Sequence, residues 1–334
     1  MPGFESIIDQ QKPIGILRAL LEQSAVAHAL LFTGIDGVGK QTTARLFAMA
    51  VNCASYPGDA ASRVSADSVP CGQCVSCRKI ISGNHPDVLH IQPQGNLIRI
   101  DQIRALGRTL AMKPYEARYR VVMISDAQRM NPESANALLK MLEEPPEQTL
   151  LVLTASETSD LLPTVVSRCQ RVRFNPVSIP GICRELVSHC NLSPDVARVV
   201  AAMAGGSMGR AIAMSRSDWL ERRNWLVREL AGLRQAPISV GLALAQRLAQ
   251  DKDRLAESLE VMLSWFRDGL VRLYGPGKII NQDLIPLPDC GSQNENPEIL
   301  LSKIQAVRAA EKAVAANANL RLTIEGLILR LSET

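Results

Sequence analysis

The residues with the most specific chemical spacing lie at 30–43, in the run LLFTGIDGVGKQTT. An apolar stretch that predicts a buried strand leads into Gly34, Gly37 and Gly39, then Lys40, then a helical pattern. Strand, glycine-rich turn, lysine and helix form the context of a phosphate-binding loop, where backbone N–H groups, the helix dipole and the lysine attract an anion. The simpler alternative is a glycine-rich turn with an ordinary surface lysine.

One position in this loop departs from the pattern of an active ATPase. The residue after the lysine should be Ser or Thr, whose hydroxyl holds Mg²⁺, but this chain has Gln41. Thr42 comes one place later and therefore lies on a different side of the helix. We expect binding of ATP and Mg²⁺ to be weak or absent. The predicted nucleotide-binding residues of the loop are Gly34, Gly37, Val38, Gly39, Lys40, Gln41 and Thr42.

Two further buried strands end in polar residues that bear on the same chemistry. The run 120–126 ends in Ser125-Asp126, where an active ATPase carries an Asp for magnesium and often a Glu for the attacking water. The corresponding pair is either Ser125-Asp126 or Asp126-Ala127, and in both cases one carboxylate is missing. Asp126 is equally consistent with a turn cap. The run 150–154 ends in Thr154, a polar group that could reach a γ-phosphate. The catalytic equipment is therefore predicted to be incomplete here as well.

Four cysteines follow the helix of the loop in the pattern C-x17-C-x2-C-x2-C. Two-residue spacings let neighbouring thiolates of Cys53, Cys71, Cys74 and Cys77 face one ion, and four thiolates satisfy a tetrahedral Zn²⁺. All four positions would be filled by protein, so we expect a structural zinc that staples a loop with little core of its own. Unliganded surface thiols and an iron–sulfur cluster are the alternatives.

The composition predicts a helix-rich protein of two or three domains, since 334 residues can bury a sizeable core. Hydrophobic residues make up 46% of the chain and aromatic residues 4%, and the net charge of +4 indicates a nucleic-acid partner only weakly. The run MPGFESIIDQQKP lacks the regions of a signal peptide, and no apolar run is long enough to cross a bilayer. We therefore expect a cytoplasmic location and no membrane partner.

Four segments together resemble the clamp-loader subunits of bacterial DNA polymerase III, a family of the AAA+ ATPase class. They are HALLFTGIDGVGK, the cysteine cluster, NALLKMLEEPP and LLPTVVSRC, and the resemblance covers most of residues 1–215. The ATP-hydrolysing member of the family, tau/gamma, is expected to carry Ser or Thr after the loop lysine and an Asp-Glu pair on the second strand. Because this chain has neither feature, it is more similar to a member that does not hydrolyse ATP.

The resemblance implies an α/β AAA+ fold, in which a RecA-like parallel sheet carries helices on both faces. The implied domains are a RecA-like domain at 1–173 with the zinc module inserted at about 53–80, a small helical lid at 174–215, and an all-α collar domain for oligomerisation at 216–334. Within the lid, Arg210 is a candidate for reading the nucleotide, with a plain surface arginine as the alternative.

The resemblance also assigns a role to Arg168, because Ser167-Arg168-Cys169 matches the motif that supplies an arginine to a neighbouring ATPase site. Such an arginine neutralises charge on the γ-phosphate and is worth ~10³–10⁵ in rate. The alternative is that Arg168 pairs with an acid of its own domain. We expect a subunit that is not itself an active ATPase, with tau/gamma and delta subunits as partners in a five-membered ring. The sliding clamp and, through the complex, primed DNA complete the expected partners.

Two other functions stay open from the residues. An active, tau/gamma-like clamp-loader ATPase would use Thr42 in place of the residue at Gln41. A zinc-module DNA-binding protein would keep the phosphate loop only as a relic. Basic residues recur on the helix predicted at 99–112, where their spacing suggests a side that faces DNA phosphates or, alternatively, only solvent. They are Arg99, Arg104 and Arg108.

Overall fold

The computed structural model describes residues 3–23, 27–56, 69–233, 236–275, 279–284 and 296–332. The chain forms two compact units, Met1–Gly181 with Gly206–Arg210, and Ile182–Gly205 with Ala211–Thr334. The three-domain division at residues 173 and 215 stays a prediction. In the part of the chain that is described, no helix is long and apolar enough to cross a membrane.

A five-stranded parallel sheet forms the centre of the first unit, with strand order β2-β3-β4-β1-β5. Every residue of β1 and β4 is buried, because both are apolar strands covered on two faces. The strands are β1 (Ala29–Thr33), β2 (Val88–Ile91), β3 (Arg120–Ile124), β4 (Thr149–Ala155) and β5 (Gln170–Arg173).

Helices cover both faces of this sheet. Successive residues of β1 point to opposite sides, so Leu31 packs in a core with Leu106 and Leu138, while the ring of Phe32 contacts Phe174 with centroids 5.2 Å apart. The helices of the first unit are α1 (Gln11–Glu22), α2 (Lys40–Val51), α3 (Val75–Ile81), α4 (Ile100–Leu110), α5 (Pro132–Glu143) and α6 (Pro163–Val166).

The remaining elements are helical, which together with the parallel sheet confirms the predicted α/β fold with helices on both faces of a parallel sheet and an all-α C-terminal part. α7 begins in the first unit and continues into the second, and α9 also crosses the division. These helices are α7 (Ile179–Cys190), α8 (Pro194–Met203), α9 (Met208–Arg216), α10 (Trp219–Gly232), α11 (Ile238–Gln250), α12 (Lys252–Tyr274), α13 (Pro297–Ala315) and α14 (Leu320–Ser332).

A buried polar network organises part of the second unit. Arg223 on α10 is fully buried and donates to Asn281 Oδ1 at 2.7 and 2.9 Å and to the carboxylate of Asp283 at 2.8 and 2.9 Å. Asp268 on α12 accepts from the backbone of Asn281 at 2.7 Å. The network fixes the segment 279–284 to both helices, because each buried charge has a charged or amide partner there.

Candidate functional site

The glycine-rich loop has the backbone that the sequence predicts. Gly34, Gly37 and Gly39 all have positive φ, and Val38 between them is buried. A Cβ on Gly34 would lie 2.7 Å from the carbonyl oxygen of Phe174, so only glycine fits there. The loop therefore needs its glycines for close approach of neighbouring backbone as well as for its turns.

Lys40 is the first residue of α2, and its side chain folds back onto the loop. Its ammonium donates to the carbonyl oxygens of Gly34 and of Ile35, the latter at 2.9 Å, and lies 3.5 Å from Asp36 Oδ1. The side chain is only 5% exposed, and this burial lowers the pKa of Lys40 against the opposing charges of Asp36 and Asp126. The lysine charge is thus satisfied within its own loop.

Two strand-end residues come together beside this loop. Asp126 follows β3 with φ 52°, and its N–H donates to the hydroxyl of Thr154 on β4 at 3.1 Å. Parallel strands bring their carboxyl ends to one edge of the sheet, which explains why Lys40, Asp126 and Thr154 gather there.

The first turn of α2 places the polar residues after Lys40 differently from one another. Gln41 and Thr42 are both exposed, whereas the next residue, Thr43, is fully buried and its hydroxyl donates to the carbonyl of Gly39 at 2.9 Å. The buried hydroxyl of this turn is therefore used to hold the loop to the helix.

The segment Gly206–Arg210 belongs to the same compact unit as the loop and contacts it. The N–H of Gly209 donates to the carbonyl of Gly37 at 2.9 Å, and the hydroxyl of Ser207 accepts from the N–H of Arg210 at 3.1 Å. Arg210 is therefore one residue away from the loop contact. Nothing in the sequence pattern singles out Ser207 as a neighbour of the loop.

His90 and Ser125 form a further polar contact at this edge that the motifs did not predict. The Nε2 atom of His90 lies 2.7 Å from the hydroxyl of Ser125, which is buried. Burial and the charge of Arg45 lower the pKa of His90. The position before Asp126 is thus filled by a neutral hydroxyl–imidazole pair instead of a carboxylate.

The four cysteines converge as predicted. Cys53 follows α2, Cys74 is the N-cap of α3, and one thiol sulfur from each of the four lies within 4.8 Å of the others. The amides of Cys71, Cys74 and Cys77 each lie 3.4 Å from the sulfur of the preceding cysteine of the set. Thiolates on a tetrahedral Zn²⁺ with bonds of about 2.3 Å are about 3.8 Å apart, so the cluster fits a metal ion.

The surroundings of Cys53, Cys71 and Cys77 shift the pKa values of these three thiols in different directions. Burial raises the pKa of Cys53 and, together with the Cys74 thiol, that of Cys77. Burial also acts upward at Cys71, but hydrogen bonds from the backbone of Gln73 and Cys74 and from the neighbouring thiols outweigh it and lower the pKa to about 6. A metal bound here would take up one ready thiolate and release protons from the buried thiols.

Arg168 lies just after α6, on the segment that leads into β5. Its Nη1 donates to the carbonyl of Thr164 at 3.0 Å, and its Nη2 lies 2.6 Å from Oε1 of Glu143 at the end of α5. The side chain of Arg168 is 35% exposed and that of Glu143 is 50% exposed. The ion pair within its own domain is therefore present, and it leaves the guanidinium accessible from outside.

Comparison with known proteins identifies relatives along nearly the whole chain. A family model described as "DNA polymerase III, delta subunit" matches residues 9–178, and one described as "DNA polymerase III, delta subunit, C terminal" matches residues 217–333. The DNA polymerase III subunit delta' of Bacillus subtilis is 30% identical over 97% of this chain and 96% of its own length.

Similarity also extends to other subunits of the same polymerase. The DNA polymerase III subunit tau of Bacillus subtilis is 30% identical over 82% of this chain, which spans 51% of that protein. A solved DNA polymerase III gamma subunit-related protein from Thermotoga maritima has a TM-score of 0.49 and 18% identity, covering 97% of this chain and 99% of that one.

Proposed function

This chain belongs to the delta' family of DNA polymerase III subunits, and from that membership we propose that it is a clamp-loader subunit that helps place the sliding clamp on primed DNA. Its partners are the tau/gamma ATPase subunits and the delta subunit in a five-membered ring. Its own ATP site is degenerate, and it supplies Arg168 to the ATPase site of a neighbouring subunit.

The observation that carries the proposal is the accessible guanidinium of Arg168 in a unit whose own site lacks catalytic groups. Gln41 replaces the hydroxyl that would hold Mg²⁺, and Ser125 with Asp126 offers one carboxylate where an active site uses two. The ammonium of Lys40 is already bound by the loop's own carbonyls. A subunit of this kind has few groups with which to hydrolyse ATP itself, yet its Arg168 can complete the ATPase site of a neighbouring subunit.

Two further parts of the proposal rest on other groups of residues. The cysteine cluster holds a structural Zn²⁺, because all four ligands come from the protein and no position is left for substrate.

Three exposed arginines make weak contact with DNA phosphates in the assembled complex. They are Arg99, which is the N-cap of α4, and Arg104 and Arg108 within that helix. Arg104→Ala with Arg108→Ala should reduce the salt dependence of DNA binding, and an unchanged slope would remove this part.

The decisive experiment measures ATP turnover by the clamp-loader complex reconstituted with wild-type chain, Arg168→Ala or Arg168→Lys, and by the chain alone. We expect the chain alone to be inert and Arg168→Ala to slow the site it completes by ~10³-fold or more. Arg168→Lys should restore little, since a lysine lacks the planar fork of donors. The matched control is Arg171→Ala, an exposed arginine three residues away.

The second candidate function is an active ATPase of the tau/gamma kind, which the similarity to subunit tau favours. Turnover by the chain alone at the rate of the complex would support this candidate and overturn the first. An Arg168→Ala complex that turns over like wild type would remove the arginine-donor role while leaving clamp-loader membership intact.

A further inference from the structure

We propose that Glu143 is the positioning residue of Arg168, holding the guanidinium in the orientation in which it meets a neighbour's phosphate; this rests on the proposed function of Arg168. The contact that carries it is the 2.6 Å pair between Arg168 Nη2 and Glu143 Oε1. It joins the end of α5 to the segment after α6, where Nη1 of the same side chain also contacts the carbonyl of Thr164 and the hydroxyl of Ser167.

The placement of Glu143 has no explanation in helix stability. It is the last residue of α5, followed by Glu144 and two prolines, and a carboxylate at a helix C-terminus is disfavoured by the helix dipole. The pair with Arg168 is half-exposed, and such surface ion pairs add little to the stability of a fold. Since neither the helix nor the ion pair gains much stability from this carboxylate, its main effect is on the orientation of the guanidinium.

The geometry of the guanidinium shows what Glu143 does. Of its five N–H groups, one on Nη1 donates to Thr164 and one on Nη2 is directed to Glu143, so two nitrogens are fixed from two sides. Within the described part of the chain the contacts of this side chain are made by Nη1 and Nη2, which leaves the Nε–H for an incoming phosphate. Fixing the fork in advance reduces the rotamer freedom lost when the arginine engages its target.

A positioning role depends on an acceptor oxygen rather than on negative charge. Glu143→Gln keeps an oxygen that accepts from Nη2, whereas Glu143→Ala removes it. A nearby carboxylate also offsets part of the arginine's charge, so the Gln variant loses no attraction for phosphate. The two variants therefore separate orientation from electrostatics.

The test compares turnover by the reconstituted complex containing Glu143→Ala, Glu143→Gln or the matched control Glu144→Ala, each alone and with Arg168→Ala. We expect Glu143→Ala to lower kcat of the Arg168-dependent turnover by about tenfold with KM changed less than twofold. The reason is that even a small displacement of a group from its productive position lowers the rate of the chemical step. Glu143→Gln and Glu144→Ala should stay within about twofold of wild type.

In the Arg168→Ala background, Glu143→Ala should have no further effect, since a positioning residue acts only through the group it positions. Equal loss in both backgrounds, or wild-type turnover by Glu143→Ala, would overturn the role of Glu143 while Arg168 kept its own. If Arg168→Ala itself left turnover unchanged, the proposed function would fail first. Urea unfolding of the Glu143 variants should match wild type, which separates a misplaced arginine from a damaged fold.

Discussion

Lys40 and Arg168 are the two cations for which a part in ATP chemistry is proposed, and the first unit holds them in opposite ways. Lys40 is 5% exposed and donates to carbonyls of its own loop, whereas Arg168 is 35% exposed and contacts the carbonyl of Thr164, the hydroxyl of Ser167 and the carboxylate of Glu143. A buried cation satisfied by its own backbone contributes to the scaffold. A cation held at the surface with N–H groups to spare can serve an anion from outside.

The surroundings of the two cations differ as their exposure does: Lys40 lies in an enclosed loop and Arg168 in a surface segment. The loop around Lys40 is contacted by Gly209 from the segment Gly206–Arg210 and backed by the buried helix α2. Arg168 lies in a short segment between a four-residue helix and an edge strand of which three of the four residues are exposed. Loops positioned by a rigid scaffold commonly carry function, which is the arrangement at Arg168.

Removal of the metal site should have the largest effect on stability, and the effect should be confined to the part of the first unit that contains Lys40 and α2. Cys53 lies two residues after the end of α2, so the cluster ties that helix to α3. For Cys77→Ser we expect one zinc per chain to be lost and the free energy of unfolding to fall by at least about 4 kcal/mol, a size typical of losing a metal. Metal analysis and urea unfolding measure the two effects.

Cys190→Ser on α7 is the control, since it changes a cysteine outside the cluster. Hydrogen exchange should rise in α2 and α3 and stay unchanged in α5 and α6. If the purified protein contained iron and absorbed visible light, the four cysteines would hold an iron–sulfur cluster and not a zinc ion. Full retention of metal by Cys77→Ser would show that the four thiols do not act as one site.

Lys40→Ala should have the next largest effect, on stability and not on catalysis. The substitution leaves the carbonyls of Gly34 and Ile35 without a buried donor, which costs about 1–3 kcal/mol. Turnover by the complex should change less than about twofold once assembly is complete. The exposed lysine of α1, Lys12, provides the control as Lys12→Ala. A loss of turnover comparable to that of Arg168→Ala would make the loop a working nucleotide site.

Much of the fold could be predicted from the sequence because its signals are local. Apolar runs bounded by turn residues indicated β1, β3 and β4, and the helical pattern after the glycine-rich loop indicated α2. β5 gave no such signal, since only Val172 of its four residues is buried and the strand lies at the sheet edge. An edge strand needs no apolar alternation on both faces.

The parts of the site that depend on residue spacing within a short segment could be predicted from the sequence. The parts that depend on contacts between distant segments could not. The cysteine spacing predicted the cluster, and the glycines predicted the loop with its positive φ values. The contact of Gly209 with Gly37 joins residues far apart in sequence, so no local pattern could indicate it. Glu143 did carry a signal, because an acid at the end of a helix opposes the dipole.

A smaller effect should appear in the pH dependence of stability. Burial lowers the pKa of Lys40 below 10.5, so between the folded value and 10.5 the unfolded chain binds more protons than the folded one. Stability therefore rises with pH in that window, by at most about 1.4 kcal/mol per pH unit, and Lys40→Met lacks this contribution. Urea unfolding of both proteins between pH 8 and 10.5 measures it. A constant difference between them would mean that Lys40 is solvated.

The smallest expected effect is that of Gln41→Thr, which restores the hydroxyl an active loop uses for Mg²⁺. We expect no ATP turnover by the chain alone, because the ammonium of Lys40 stays bound to Gly34 and Ile35 and the end of β3 still offers one carboxylate, that of Asp126. Phosphate release by the isolated variant measures this, with wild type as the control. Turnover above background would mean that Gln41 alone had silenced a working loop. Lys40 would then be able to leave its loop carbonyls and bind a nucleotide phosphate, and the contrast with Arg168 would no longer hold.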